Sequence, residues 1–438
     1  VASGAPEPLK IGLCGLGTVG GTVFQRLADN DGRIVPGSPS LHLQHIGSRS
    51  KRNLDLLGFP FSQDVMAVAE DPKVQVLVEL IGGCDTARQL VLTAIRNGKH
   101  VVTANKALLA EHGEEIMEAA AEQKVAVAFE AAVAGGIPII RSLRGILASN
   151  RIRRIVGILN GTSNYLLSNM DNGRRGFEEI LKEAQQKGYA ESDPTLDLDG
   201  TDAAHKLFIL SAIAWGLPLR FLEAAIFREG VQQVGAEDIA NANRLGYRIR
   251  PLAIAAFADS GILLRVHPAL VREKHILGRL PGPLNGIVLQ GDLVGDTVYC
   301  GPGAGGKATA SAVLADLADL ATGAIPIGTL RGTGVAPPVI SEEMDNICCP
   351  RYLRLTVADR PGAASAFASI LSDMDISVEE AIQPPKGAKG DHWASLVLLT
   401  SPVPEGKLQN VLRELVSRED VQGEVVHLRV EDSSDPVN

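Results

Sequence analysis

The stretch LKIGLCGLGTVGGTVFQRLADN, residues 9–30, constrains the fold more than any other part of the chain. Leu9 to Cys14 is a short apolar run suited to a buried strand. Gly15-Leu16-Gly17-Thr18-Val19-Gly20 follows at once, and Val23, Phe24 and Leu27 then recur at helical spacing. In a strand–turn–helix context each glycine has a task. Gly15 permits the tight turn, Gly17 lets a pyrophosphate reach the backbone, and Gly20 lets the helix pack closely. A plain tight turn is the bland alternative, and the flanking strand and helix disfavour it. The apolar runs LHLQHIGS, VQVLVELIG, KHVVTANK and KVAVAFEAAV are read as further strands, alternating with helical patterns. This alternation predicts an α/β domain over residues 9–138, built on a Rossmann-type doubly wound parallel sheet.

The texture changes after Pro138. Turn signals multiply, and GILLRVHPALV and NGIVLQGDLVGDTVYCG read as strands of a mixed or antiparallel sheet. Residues 139–303 are therefore expected to form an α+β domain. GPGAGGKATASAVLADLADLATG then gives a glycine-rich turn and an alanine/leucine helix, near 304–323, expected to pack back onto the first domain. Residues 325–350 are rich in Gly and Pro, without periodicity, and read as a linker. The last part, 351–432, alternates in the order βαββαβ: YLRLTVAD, PGAASAFASILSDM, ISVEEAIQ, HWASLVLLT, GKLQNVLRELVSRE and GEVVHLRVED.

A chain of 438 residues has room for these domains to bury cores of their own. The net charge of −9 argues against nucleic acid or an anionic membrane as partner. No apolar run approaches the ~20 residues of a membrane helix. The opening VASGAPEPLK does not resemble a secretory leader, and the missing initiator Met fits either processing or a start chosen within a longer chain. Five cysteines without C-x-x-C spacing fit a reduced, cytoplasmic protein, and nine histidines without H-E-x-x-H or a Cys/His cluster argue against a transition metal.

Two segments carry candidate chemistry. In VTANKALLA, Thr103 and Lys106 stand where a sheet strand hands over to a helix, the end at which open α/β sheets bind ligands. In KGYAESDPTLDLDGTDAAHK, residues 187–206, Glu191, Asp193, Asp197, Asp199 and Asp202 precede a closing Lys206. An acidic surface loop is the default reading of such a run. The helix that follows, capped by Thr201 or Asp199, argues otherwise. Ala203, Leu207, Leu210, Ile213 and Ala214 share one face, and Asp202 and Lys206, four apart, fall in a sector with Ile209 and Ile213. Charges there are costly unless paired or lining a polar pocket, and a partly desolvated lysine suits proton transfer. The second strand ends in GSRSKR, with no acid to hold a ribose 2′-hydroxyl. Arg49, assisted by Lys51 or Arg52, is placed to meet a 2′-phosphate, so NADP(H) is favoured while NAD(H) stays open.

AQQKGYAESDPTLDLDGTDAAHK, with TANK, FEAAVAGGIPII, LNGTSNYLL and GPGAGGKATA, resembles homoserine dehydrogenase from about residue 9 to about 330. The final module, with DRPGAASAFASIL, resembles an ACT domain, a regulatory amino-acid-binding fold. Together they resemble the bacterial monofunctional enzyme with a C-terminal regulatory domain. The resemblance implies reversible reduction of L-aspartate 4-semialdehyde to L-homoserine. It places proton transfer on Lys206, with Asp202 holding it and the substrate hydroxyl, Glu191 receiving the substrate ammonium, and Asp197 on the substrate side. It places Gly188 and Gly303 beside the nicotinamide and gives Thr103 and Lys106 contacts to cofactor, Lys106 also to substrate. It further implies a monovalent cation, usually sodium, on carbonyls of Glu130, Val133, Gly135 and Ile137. Threonine is the expected effector, 139–303 the dimerisation domain, and a homodimer or homotetramer the expected assembly.

Two rivals remain. A nucleotide- and amino-acid-sensing protein without turnover needs the glycine loop but not Glu191, Asp202 and Lys206 together. A phosphorylating semialdehyde dehydrogenase needs a nucleophilic cysteine with a nearby base, and no cysteine has that setting in sequence.

Overall fold

The computed structural model of the chain describes residues 7–29, 32, 39–50, 56, 58–170, 175–258, 261–325, 338–341, 343–383 and 392–431. They fall into two compact units. One comprises 1–153, 205–223 and 288–338, the other 154–204, 224–287 and 339–438.

The first unit opens with β1 (Leu9–Cys14), α1 (Thr18–Asp29), β2 (Leu41–Gly47), β3 (Phe61–Ser62), α2 (Met66–Glu70) and β4 (Val76–Glu79). Next come α3 (Asp85–Arg96), β5 (His100–Thr103), α4 (Lys106–Gln123), β6 (Val127–Ala128) and α5 (Ile139–Arg144). The sheet order is β3-β2-β1-β4-β5-β6, every neighbouring pair parallel. Sequence order reverses between β1 and β4, the switch point where this fold class opens a crevice. The apolar runs form strands for the expected reason: Ile11, Leu13, Val76 and Val78 are buried beside Val23, Phe24 and Leu27 of α1. Each such side chain contributes roughly 1.5–3 kcal/mol by leaving water. The run read as a strand in KVAVAFEAAV is paired over Val127–Ala128 only. The backbone then turns into a 3-10 turn at Glu130–Ala132.

The chain continues through β7 (Ile152–Ile158), α6 (Gly161–Asn169), α7 (Phe177–Gln186), α8 (Thr195–Leu198), α9 (Thr201–Trp215), β8 (Ile226–Arg228), α10 (Ala236–Arg244), β9 (Tyr247–Ala258) and β10 (Gly261–Arg272). Then come β11 (Leu284–Gly291), β12 (Gly295–Pro302) and α11 (Gly306–Thr322). The last of these packs within the first unit: Ala310, Val313, Leu314 and Leu317 share the cluster of Val23 and Phe24.

The rest is β13 (Ile340–Ser341), β14 (Cys348–Cys349), β15 (Arg351–Ala358), α12 (Ala363–Asp373), β16 (Val378–Ile382), β17 (Trp393–Thr400), β18 (Val403–Pro404), α13 (Glu405–Val416) and β19 (Val421–Val430). The βαββαβ reading of the C-terminal module holds. Its sheet is joined to the preceding domain, because β19 pairs parallel to β10 through Ala269↔Arg429 and Leu270↔Val430. The mixed sheet therefore includes the order β7-β9-β10-β19-β15-β17-β16. Strand alternation explains how the module is covered on both faces. Leu353, Leu355, Val357, Leu396 and Leu398 face Phe367, Leu371 and Leu408 of α12 and α13. Tyr352, Val397, Leu399 and Leu428 pack with Tyr165, Ile249 and Leu270. Half of the Gly/Pro-rich stretch lies outside the described residues, but β13 pairs with β10 at Ile262↔Ile340.

Candidate active site

The glycine turn has the geometry its spacing predicts. Gly15 has φ +99°, and a Cβ there would lie 2.4 Å from the Leu80 carbonyl oxygen. A Cβ on Gly20 would lie 1.9 Å from the Gly15 oxygen, whereas one on Gly17 would meet nothing within 4 Å. The first and third glycines are thus demanded by the fold. The second leaves open space where the α1 N-terminus presents amides, the arrangement that accepts a phosphate. The loop between β12 and α11 joins it: a Cβ on Gly306 would lie 2.7 Å from Thr18 Cγ2. Arg49 is exposed just beyond β2, and Lys51 and Arg52 lie outside the described residues.

Thr103 ends β5 buried, and its hydroxyl donates to Glu79 Oε2 at 2.6 Å while accepting from the Asn105 amide at 3.0 Å. Asn105 caps α4 through Leu108 N–H at 3.1 Å and donates to the Gly83 carbonyl at 2.6 Å. Lys106, half-buried, is therefore the first residue of a helix whose start is fixed by Glu79, Thr103 and Asn105. Glu79 also accepts from the Ile81 and Gly82 amides at 2.9 and 3.2 Å. Burial pushes its carboxyl up, opposed by those hydrogen bonds. Sequence reasoning missed Glu79, although an acid at the end of an apolar strand was a signal.

The expected cation segment is in the same unit. Glu130 uses its carboxylate to hold the α5 N-terminus, accepting from the Ile140 and Arg141 amides at 2.9 and 2.7 Å. Its own amide donates to Asp316 Oδ2 at 2.9 Å. Burial, then the neighbouring Glu130, pushes the Asp316 carboxyl up to about 8. Ala134 and Gly135 have φ +52° and +30°, and a Cβ on Gly135 would lie 3.0 Å from the Gly303 oxygen. The structure thus brings Gly135 and Gly303 together. The Ile137 carbonyl accepts the Ile139 amide at 2.8 Å. Among the described residues no cluster of three or more His, Cys, Asp or Glu side chains could hold a metal.

Asp197 and Asp202 are brought together by one residue. Asn160 Nδ2 donates to Asp197 Oδ1 at 2.7 Å and to Asp202 Oδ2 at 2.9 Å, while Asn160 Oδ1 caps α6 on the Ser163 amide at 2.8 Å. Asn160 was also missed, and its signal was an asparagine immediately before a Gly-Thr-Ser helix start. Asp202 and Lys206 lie one turn apart on α9, and both are 8% exposed. The helix is buried almost all round, so burial does not separate the two faces that periodicity suggested. Asp199 accepts from the Thr201 amide at 2.8 Å, as a capping residue should. Glu191 and Gly188 (φ +72°) are exposed in the turn after α7, where Gln185 donates to the Glu191 carbonyl at 3.1 Å.

Comparison with known proteins places the chain in a family. The homoserine dehydrogenase family model matches residues 138–318, the homoserine dehydrogenase NAD-binding domain matches 15–130, and the ACT domain matches 351–420. Homoserine dehydrogenase of Pseudomonas aeruginosa is 42% identical over 433 residues, covering 97% of this chain and 99% of the relative. The chain belongs to the homoserine dehydrogenase family. A homoserine dehydrogenase from Neisseria gonorrhoeae is 41% identical over 98% of this chain and 100% of its own. The solved structure of homoserine dehydrogenase from Thiobacillus denitrificans superposes with TM-score 0.86 at 42% identity, over 98% of this chain and 99% of that one. A hyperthermophilic archaeal homoserine dehydrogenase, solved in complex with NADPH, superposes with TM-score 0.62 at 28% identity, over 74% of this chain and 100% of that one.

The chain is accordingly an oxidoreductase with a nicotinamide-nucleotide-binding domain and a C-terminal ACT domain. Burial raises the thiols of Cys14, Cys84, Cys300 and Cys349, which disfavours at those four positions the thiolate a phosphorylating semialdehyde dehydrogenase needs. Among the described residues no helix is long and apolar enough to cross a membrane.

Proposed function

We propose that Lys206 and Asp202 carry the proton chemistry by which the chain interconverts L-aspartate 4-semialdehyde and L-homoserine, with NADP(H) preferred over NAD(H). The observation that carries the reading is the pair itself, an acid and a base one helical turn apart and both buried. Bound nicotinamide supplies or accepts the hydride. Reducing the aldehyde carbon leaves negative charge on its oxygen, and Lys206 Nζ donates the proton that quenches it. In oxidation the same nitrogen receives the hydroxyl proton. Asp202 holds the Lys206 ammonium and the substrate hydroxyl, and burial keeps water from competing for the proton. Glu191 receives the substrate ammonium and Asp197 borders it. Thr103 and Lys106 meet the cofactor, Lys106 also the substrate, and Gly188 and Gly303 flank the nicotinamide.

The cofactor preference rests on Arg49 and on the absence of an acid at the end of β2; the NADPH complex of the archaeal relative supports it. The glycine loop of Gly15, Leu16, Gly17, Thr18, Val19 and Gly20 fits a pyrophosphate through the open space at Gly17. Carbonyls of Glu130, Val133, Gly135 and Ile137 would hold sodium. The left-handed φ of Ala134, which costs a non-glycine residue about 1 kcal/mol, is the strain expected where a backbone is bent around a ligand. In this reading residues 9–138 bind cofactor, 139–303 bind substrate and dimerise, 325–350 link, and 351–432 bind threonine. The protein is a cytoplasmic homodimer or homotetramer in threonine, methionine and isoleucine biosynthesis. Initial rates of homoserine oxidation with each nicotinamide test the proposal. Homoserine-dependent reduction with a lower KM for NADP+ is expected; a lower KM for NAD+ contradicts the preference, and no reduction of either contradicts the reaction.

A further inference from the structure

Strand β8 ends at Arg228, and the next residue, Glu229, meets Arg429 of β19 in a two-pronged ion pair. Arg429 Nη1 donates to Glu229 Oε2 at 2.6 Å and Nη2 to Oε1 at 3.1 Å. The Arg429 side chain is buried, its Nε donates to Glu405 Oε2 at 3.0 Å, and its guanidinium carbon lies 4.7 Å from the centre of the Phe227 ring. Arg351 Nη1, also buried, lies 2.8 Å from the same Glu405 oxygen. Every group on the Arg429 side belongs to the C-terminal module, and Phe227 and Glu229 belong to the domain before it.

The other side of this short strand abuts the substrate segment. Arg228 Nη1 donates to Thr201 Oγ1 at 2.5 Å, and Val231 N–H donates to the Leu198 carbonyl at 3.0 Å. There is no slack in the packing. A Cβ on Gly230 would lie 2.8 Å from the Leu198 oxygen, and one on Gly200 would lie 3.0 Å from Val266 Cγ1. Val266 is the β10 partner of Arg228, and its carbonyl accepts the Glu229 amide at 2.9 Å. Thr201 opens α9 and immediately precedes Asp202.

We propose that Arg429 is a positioning residue: through Glu229 it fixes the register of residues 228–231, and through the Arg228–Thr201 bond that strip sets the start of α9 and the Asp202 carboxylate. The inference rests on the reading of Asp202 as a substrate-holding group. Its physical basis is the geometry of the pair. A buried ion pair adds little net stability over an apolar replacement, whereas a two-pronged arginine–carboxylate contact fixes orientation as well as distance. Strand β8 has three residues, so few bonds of its own hold it. A displacement of about 1 Å in a reacting constellation costs on the order of 100-fold in rate. The C-terminal module thus completes the support of the substrate segment even with no effector bound.

The full chain carrying Glu229→Gln tests this. The expected result is a homoserine KM raised about tenfold or more, with the nicotinamide dissociation constant little changed, while the thermal midpoint falls because Arg429 loses a buried partner. Arg429→Lys, which keeps the charge and loses the fork, falls between wild type and Arg429→Met. Combining Glu229→Gln with Thr201→Val costs less than the product of the two single losses, because both break one connection. Should Glu229→Gln fail to fold, Glu229→Asp keeps the charge and shortens the reach, and the same rise in KM is expected. A folded variant with unchanged homoserine KM, or losses that multiply, overturns the proposal. Asp202→Asn separates the two readings: if it leaves the homoserine KM unchanged, the reading of Asp202 falls and this inference with it. If it raises KM while Glu229→Gln does not, only the positioning role falls.

Discussion

At the scale of single residues, chemistry depends on which side chain meets which charge. Arg49, exposed beyond β2, has no acidic neighbour in its own strand end to make it prefer a ribose hydroxyl. Arg49→Ala is therefore predicted to weaken NADP(H) about tenfold or more, the scale of one charge-assisted contact, and to leave NAD(H) nearly unaffected. Titration of both nucleotides checks this; equal losses show that Arg49 does not read the 2′ position. Its position is legible in sequence because it follows from the end of one strand. Lys206 and Asp202 were legible for a similar reason, since helical spacing alone brings i and i+4 together. The partners of Glu79, Asn160 and Arg429 were not. Each acts on groups distant in the chain: Glu79 on Thr103, Asn160 on Asp197 and Asp202, Arg429 on Glu229. No local pattern encodes those meetings.

At the scale of elements, the glycine turn shows how one motif divides its work. Gly20→Ala forces a Cβ to within 1.9 Å of a backbone oxygen that cannot give way. It is predicted to destabilise the first unit by on the order of 3 kcal/mol, read as a lowered thermal midpoint without cofactor. Gly17→Ala meets nothing and should melt like wild type. It is predicted to weaken nucleotide binding, because its methyl occupies the space a pyrophosphate needs. Equal stability losses in the two variants, or full nucleotide affinity in Gly17→Ala, contradict this division. The elements themselves were readable where short apolar runs met turn residues, as in β1, β2 and α1. The β6 run was misjudged in length because the pairing stops at Ala128, and the chain bends to let Glu130 meet α5 and Asp316. That bend is decided by tertiary partners, not by the propensities of KVAVAFEAAV.

At the scale of the molecule, the C-terminal module was legible as a βαββαβ unit but not as a part of the larger sheet. The β19–β10 pairing and the apolar layer of Tyr352, Val397, Leu399 and Leu428 depend on surfaces far apart in the chain. Cutting the chain near Pro350 would bare that layer and leave Glu229 without Arg429, so truncation tests folding as much as regulation. The effector is better sought in the full chain. Gly362 has φ +81° just before α12, and a Cβ there would meet nothing within 4 Å, leaving room for a small ligand at the helix start. Threonine is predicted to inhibit by binding the less active arrangement more tightly. Gly362→Val is predicted to raise the inhibitory concentration about tenfold, with uninhibited turnover little changed. A full-length protein indifferent to threonine contradicts this role, as does a variant inhibited just as well.

The claim that joins these scales is that α9 delivers a proton-transferring lysine. The most direct measurement is turnover of homoserine and NADP+ by Lys206→Ala beside its NADPH dissociation constant. The account predicts turnover lowered by roughly 100-fold or more, the usual worth of a positioned acid–base group, with nucleotide affinity nearly intact. Near-normal turnover in a folded Lys206→Ala protein would contradict it.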